Sequence, residues 1–137
     1  MAVSNPESIH PVDATALREE LSDAVQEPLR SLVEFDDEDF NVLYADDVTL
    51  SFYDSVEQMH EHFEHIHGFV NLDHMETDLF TEDLFPVSED VHYLATGLDL
   101  FTMVRIYVDD CAYFVSLDPD GPVVPAVRAI RRVVTGG

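Results

Sequence analysis

From Leu98 to Val108 the chain alternates between two kinds of residue. Leu98, Leu100, Thr102, Val104, Ile106 and Val108 fall on one side, and Asp99, Phe101, Met103, Arg105 and Tyr107 on the other. A period of two is that of a β-strand. Asp109-Asp110 reads as a turn, and Cys111–Leu117 (CAYFVSL) as the antiparallel partner of the long strand. A hairpin of this length commits the chain to an antiparallel sheet.

The remaining elements follow from spacing and punctuation. Residues 1–12 hold Pro6 and Pro11 without periodicity and read as a flexible N-terminal arm, followed by a single domain over 13–135. Asp13 is a good N-cap, and Leu17, Leu21, Ala24, Val25, Leu29, Leu32 and Val33 recur at helical spacing. They predict a first helix over 13–33, kinked or split in two at Pro28. Phe40–Ala45 and Val48–Tyr53 read as a strand pair joined at Asp46-Asp47. A second helix is expected over 55–68, stopped by Gly68. Residues 69–89 carry apolar side chains without a clean period and read as a short helix or loop, in part an edge strand. Residues 90–95 form a further candidate strand. After Asp118-Pro119-Asp120-Gly121, a closing helix is expected over 123–134.

Strand groups with helices between and around them define an α+β domain. The order α-β-β-α-β-β-β-α over residues 13–134 resembles that of roadblock/longin domains, which are profilin-like. The resemblance lies in element order and implies that fold and a tendency to dimerise. The segments FNVLYADD and CAYFVSLDPD also resemble parts of small haloarchaeal proteins.

Charge narrows the function classes. The 137 residues hold 29 acidic and 6 basic side chains, for a net charge of −23, and every basic residue is arginine. A surface this negative excludes a nucleic-acid backbone and an anionic membrane as partners. Leu, Ile, Val and Phe still make up about a third of the chain, above the range of disordered sequences. The chain therefore folds and carries its charge outside. Acidic enrichment without lysine is similar to the proteins of salt-in halophilic archaea, and it predicts that folding depends on salt, because molar salt shortens the Debye length to about 3 Å. One cysteine, no signal-peptide pattern and no apolar run of membrane-spanning length point to a soluble cytoplasmic protein.

Four of the seven histidines lie between His60 and His67. On a helix, Val56, Met59, Phe63, Ile66 and Val70 make the core face. Glu57, His60, Glu64 and His67 then run along one boundary at spacings of 3, 4 and 3, a candidate metal-ligand set because imidazole and carboxylate suit divalent metals. The weightier alternative is a solvated Glu- and His-rich face. HExxH from His60 would need histidine at 64, where Glu64 stands, and HxxEH would need glutamate at 63, where Phe63 stands. A set of histidines beside acids could also titrate as a pH-sensitive surface.

No catalytic constellation emerges. Cys111 stands beside Asp110, whose charge disfavours a thiolate, so it reads as a structural thiol. Asp118-x-Asp120-Gly121 has its glycine too early for a calcium loop and Ala129 at the twelfth position. The pairs Asp36/Asp37, Asp46/Asp47 and Asp109/Asp110 sit in polar turns without the desolvation that acid–base catalysis needs. No phosphate-binding glycine loop or nucleophile elbow is present. No cofactor is expected.

Two surfaces stand out against the acidic background. One is the sheet face bearing Phe101, Met103, Arg105 and Tyr107, residue types that interfaces favour; the alternative there is a structural arginine paired under a helix. The other is the closing helix, where Val127 and Ile130 belong to an apolar arc wider than one core-facing stripe needs. The sequence thus points to a non-enzymatic protein-binding or regulatory module, a homodimer or the partner of another protein. A metal-binding protein, and a small-molecule sensor of the PAS or GAF type, stand as alternatives.

Overall fold

The structure is a computed structural model that describes residues 3–5, 7–26, 29–36, 38–87, 90–108 and 111–136, with the backbone alone at 70–76 and 78–80. The expected kink or split at Pro28, the turn at Asp109-Asp110, Asp37 and the side chain of His74 lie outside the described residues. In chain order the elements are β1 (Val3–Ser4), α1 (Ala14–Val25), β2 (Ser31–Phe35), β3 (Phe40–Ala45), α2 (Asp47–Leu50), α3 (Val56–Leu79), a π-helical turn (Phe80–Leu84), β4 (Tyr93–Gly97), β5 (Thr102–Val108), β6 (Cys111–Leu117) and α4 (Val123–Thr135).

The strands form one antiparallel sheet in the order β1-β3-β2-β6-β5-β4. The expected long hairpin is its spine, with β5 and β6 in register from Thr102↔Leu117 to Val108↔Cys111. β5 starts at Thr102, because Leu98 turns back and donates its N–H to the carbonyl of Phe101. The sheet sits between two helical layers. α1 and α4 cover one face, where Leu17, Leu21 and Ile130 pack on Leu32, Val104 and Tyr113. α3 covers the other, with Met59 and Phe63 on Val33, Phe35 and Phe114.

Three predicted elements are corrected. The first helix ends at Val25, with Gln26 in a left-handed cap whose N–H reaches the carbonyl of Ser22. Ser31–Phe35, whose first three residues fall inside that predicted helix, is a central strand buried along its whole length. Burial on both faces removes the period of two, and Leu32 and Val33 also continue the helical spacing from Leu29. Residues 48–53 are not a strand. Asp46 accepts the N–H of Thr49 at 2.8 Å and caps the one-turn helix α2. Finally, α3 runs through Gly68 to Leu79. A mid-helix glycine costs only about 1 kcal/mol, too little to stop a helix whose neighbours favour it.

The element order survives these corrections because β2 replaces the lost strand. The chain is an α+β domain with a six-stranded antiparallel sheet. Arg30 locks β2 at its entry. Its Nη1 donates to Asp46 at 2.8 Å and its Nε to Asp118 at 2.9 Å, joining the start of β2 to the cap of α2 and the end of β6.

Candidate interaction surfaces

The histidine-rich stretch lies on the first half of α3. Glu57, His60 and Glu64 are exposed. His67 turns toward the sheet, its ring near Phe35 and Phe40 and its Nε2 2.7 Å from the carbonyl oxygen of Asp36. A carbonyl only accepts, so that nitrogen carries the proton in this contact. His62 is engaged separately, with Nδ1 2.5 Å from the hydroxyl of Tyr53, whose pKa is raised by burial. Among the described residues no group of three or more His, Cys, Asp or Glu could hold a metal ion. The helical rise explains this correction. From position 57 to 67 the axis advances about 15 Å, so the 3-4-3 series makes a row, whereas zinc ligands must all lie about 2 Å from one ion.

On the sheet face, Phe101, Met103 and Arg105 are half-buried and Tyr107 is 7% exposed. Tyr107 belongs to the cluster under α3, and burial raises the pKa of its hydroxyl. Arg105 donates from Nη2 to the Thr96 hydroxyl on β4 at 2.9 Å. Of this candidate surface, Tyr107 is core and Met103 packs against the same cluster, while Arg105 bonds to β4.

The closing helix differs from expectation at both named residues. Val127 is 5% exposed and Ile130 is 0% exposed, and both belong to the core cluster. Most of the wide apolar arc is used within the chain, because α4 packs against α1 as well as the sheet. What α4 turns outward is Val124, Pro125, Arg128 and Arg132, the last paired with Glu20 of α1.

The outer edge of β4 is the surface the sequence did not single out. In the β4–β5 ladder, His92 accepts from Tyr107 and Leu98 donates to Phe101. Antiparallel hydrogen-bonded pairs alternate, so His92, Leu94, Thr96 and Leu98 face β5. Tyr93, Ala95 and Gly97 point their backbone groups away from the sheet. Natural edges are blunted by charge, proline or a bulge, and the sequence of β4, YLATG, holds no charge or proline. Exposed apolar side chains occur before and after it: Phe69, Leu84, Phe85, Val87, Leu98 and Leu100. The signal available in the sequence was the apolar stretch 69–89, which had no period to place it.

The space among Phe35, Phe63, Ile66 and Phe114 is about 10 Å³, less than or about what one water requires. Among the described residues no helix is long and apolar enough to cross a membrane.

A second unforeseen feature lies under the N-terminal arm. Glu34 of β2 is 0% exposed. Its oxygens accept from the Ser8 hydroxyl at 2.5 Å, the Ile9 N–H at 2.5 Å and Asn41 Nδ2 at 2.7 Å. A lone glutamate inside the apolar run Leu32–Phe35 was its sequence signal, since a carboxylate buried in a central strand has to be hydrogen-bonded.

No family model and no curated protein matches the chain. Among solved structures it is similar to the Roadblock/LC7 domain from Streptomyces avermitilis, with 12% identity and a TM-score of 0.58 over 86% of this chain and 91% of that one. It is also similar to the gliding protein MglB from Thermus thermophilus, with 10% identity and a TM-score of 0.51 over 90% of each chain. The element order expected from the sequence is thus met in three dimensions, and the chain has a roadblock/longin-like fold.

Proposed function

We propose that this chain is a non-enzymatic protein-binding module that acts as a homodimer, pairing through the outer edge of β4. The carrying observation is that uncharged edge, whose outward backbone groups at Tyr93, Ala95 and Gly97 offer a partner strand its hydrogen bonds. Phe101, Met103 and Arg105, next to β4, supply the side-chain contacts of that reading. Electrostatics favours the same place. Two copies each at −23 repel one another, and β4 itself carries no charged side chain to add to that repulsion. The domain works in the cytoplasm of a salt-in halophile, where molar salt removes the remaining long-range repulsion.

Size-exclusion chromatography with light scattering in molar KCl tests this. The chain is expected to elute as a dimer, and Ala95→Pro as a folded monomer. Proline there removes an outward N–H while leaving the β4–β5 ladder intact. A wild-type chain that stays monomeric at every concentration overturns the reading. A dimer unaffected by Ala95→Pro moves the interface away from β4.

A further inference from the structure

The sheet has two ends, and the chain treats them differently. At the β4 end no strand of the described residues pairs with the outer edge. At the other end, β3 is covered by the chain's own residues 3–12. Val3 and Ser4 pair with Ala45 and Tyr44, and the Asn5 N–H donates to the Leu43 carbonyl at 2.9 Å. Asn5 and Asn41 join side chains at 3.0 Å, and Asn41 also donates to the Glu7 carbonyl at 2.8 Å. Ser8 and Ile9 then turn onto Glu34, and His10 lays its ring edge-on against Tyr113 while its Nε2 donates to the Phe35 carbonyl at 3.0 Å.

This attachment is largely polar, with Val3 and Val12, both half-buried, its apolar contacts to the two core clusters. None of the described residues from 3 to 12 is buried, and Ile9, the largest apolar one, is exposed. The segment nonetheless satisfies one of the most demanding groups in the core. Two of the three donors to the fully buried Glu34 carboxylate come from Ser8 and Ile9, and among the described residues no cation pairs with it. A segment with many hydrogen bonds and little buried apolar area is the first to open locally. A buried carboxylate left behind is then a strong acceptor for any segment that brings equivalent donors.

We infer that the β3 edge together with Glu34 is a strand-addition site for an extended partner segment with a serine-like hydroxyl, a backbone N–H at the next residue and an imidazole after it, and that residues 3–12 occupy this site in cis. The arm is an internal competitor that holds the second sheet edge closed until a partner segment displaces it. The site lies across the sheet from β4, so its test stands apart from that of the proposed dimer.

The experiment uses the full chain and a synthetic peptide of residues 3–12 as probe. In Ser8→Ala/His10→Ala the chain's own arm loses its hydroxyl and imidazole. The labelled peptide is expected to bind that variant at least about tenfold more tightly than the wild type, because the tethered competitor is weakened. Adding Glu34→Ala is expected to abolish the gain. Amide hydrogen exchange provides a second reading, in which Asn5 and Ile9 exchange together and ahead of Val104 and Val115. The inference is overturned if the peptide fails to bind the double variant or binds it independently of Glu34. It is equally overturned if the arm amides exchange only in step with those of the core, which would make residues 3–12 an inseparable part of the fold.

Discussion

The Nε2 nitrogen of His67 lies 2.7 Å from the backbone carbonyl oxygen of Asp36, and this contact ties α3 to the connection between β2 and β3. The imidazole packs near Phe35 and Phe40 at the same time. His60, two turns earlier on the helix, is exposed. The two histidines are therefore expected to behave differently on substitution. His67→Ala removes a hydrogen bond and ring packing and should cost about 1–3 kcal/mol. His60→Ala should stay within about 0.5 kcal/mol. Chemical denaturation in molar KCl measures both. Equal losses would show that the Asp36 contact contributes nothing of its own. A chelator should leave the melting temperature of the wild type unchanged.

Asp36 is held from its other side as well. Its Oδ1 accepts the N–H of Asp39 at 2.7 Å and of Glu38 at 2.8 Å. These two donors, Asp39 first, keep the Asp36 carboxyl below the ordinary value of 3.8, with smaller help from His10 and His67. A depressed folded pKa means that the unfolded chain binds the proton more readily, so the contribution is present above the unfolded pKa and lost as pH falls through the folded one. Asp36→Asn should be less stable than wild type near neutral pH. The gap should narrow below pH 3.8. Unfolding curves for the two proteins at a series of acid pH values give the difference directly, and a gap independent of pH would refute the assignment.

β5 was legible because its buried and half-buried residues alternate from Thr102 to Ile106, and β6, buried along its whole length, was legible as its partner across Asp109-Asp110. β2 (SLVEF) was not, because burial on both faces removes the period of two, and Leu32 and Val33 also continue the helical spacing from Leu29. At Asp46-Asp47 the same dipeptide serves as turn or N-cap, and only the Thr49 N–H decides which. Val127 and Ile130 read in the sequence as excess apolar surface, yet a sequence cannot say whether such an excess meets another chain or α1, and here both lie in the core cluster. Glu34 was overlooked because its partners, Ser8 and Ile9, come from an aperiodic segment some 25 residues away.

Arg30 carries the clearest structural prediction. The side chain is 22% exposed and forks between Asp46, itself 12% exposed, and the more open Asp118. The Asp46 bond contributes most to the raised pKa of Arg30. Arg30→Ala leaves the less exposed carboxylate without its cation and should cost about 2 kcal/mol. Arg30→Lys should recover only part, because an ammonium on a single stem does not reproduce the fork. Thermal melts of the three proteins in molar KCl check this order, and a lysine variant as stable as wild type would show that charge alone suffices.

A net charge of −23 on a chain of 137 residues predicts a strong dependence of stability on salt. Raising KCl from millimolar to molar contracts the Debye length from tens of ångströms to about 3 Å and removes most of the repulsion between surface carboxylates. The melting temperature should rise steeply across that range. Substituting exposed Glu57, Glu61 and Glu64 on α3 by glutamine should raise it mainly at the low-salt end. A melting temperature indifferent to KCl would mean that self-repulsion is not what limits this fold.

Gly68 gives the most economical test of α3 itself. The helix passes through it without a break, and a Cβ built on it would meet nothing within 4 Å. Glycine in a helix interior is about 1 kcal/mol worse than alanine, largely through the freedom it keeps in the unfolded chain. With no clash to offset that gain, Gly68→Ala should stabilise the protein by about 1 kcal/mol and increase its helical circular-dichroism signal slightly. Were position 68 a helix end, as its glycine suggested in the sequence, a left-handed backbone would resist alanine and the same substitution would destabilise. The sign of the change in melting temperature therefore separates one continuous helix over Val56–Leu79 from two shorter ones.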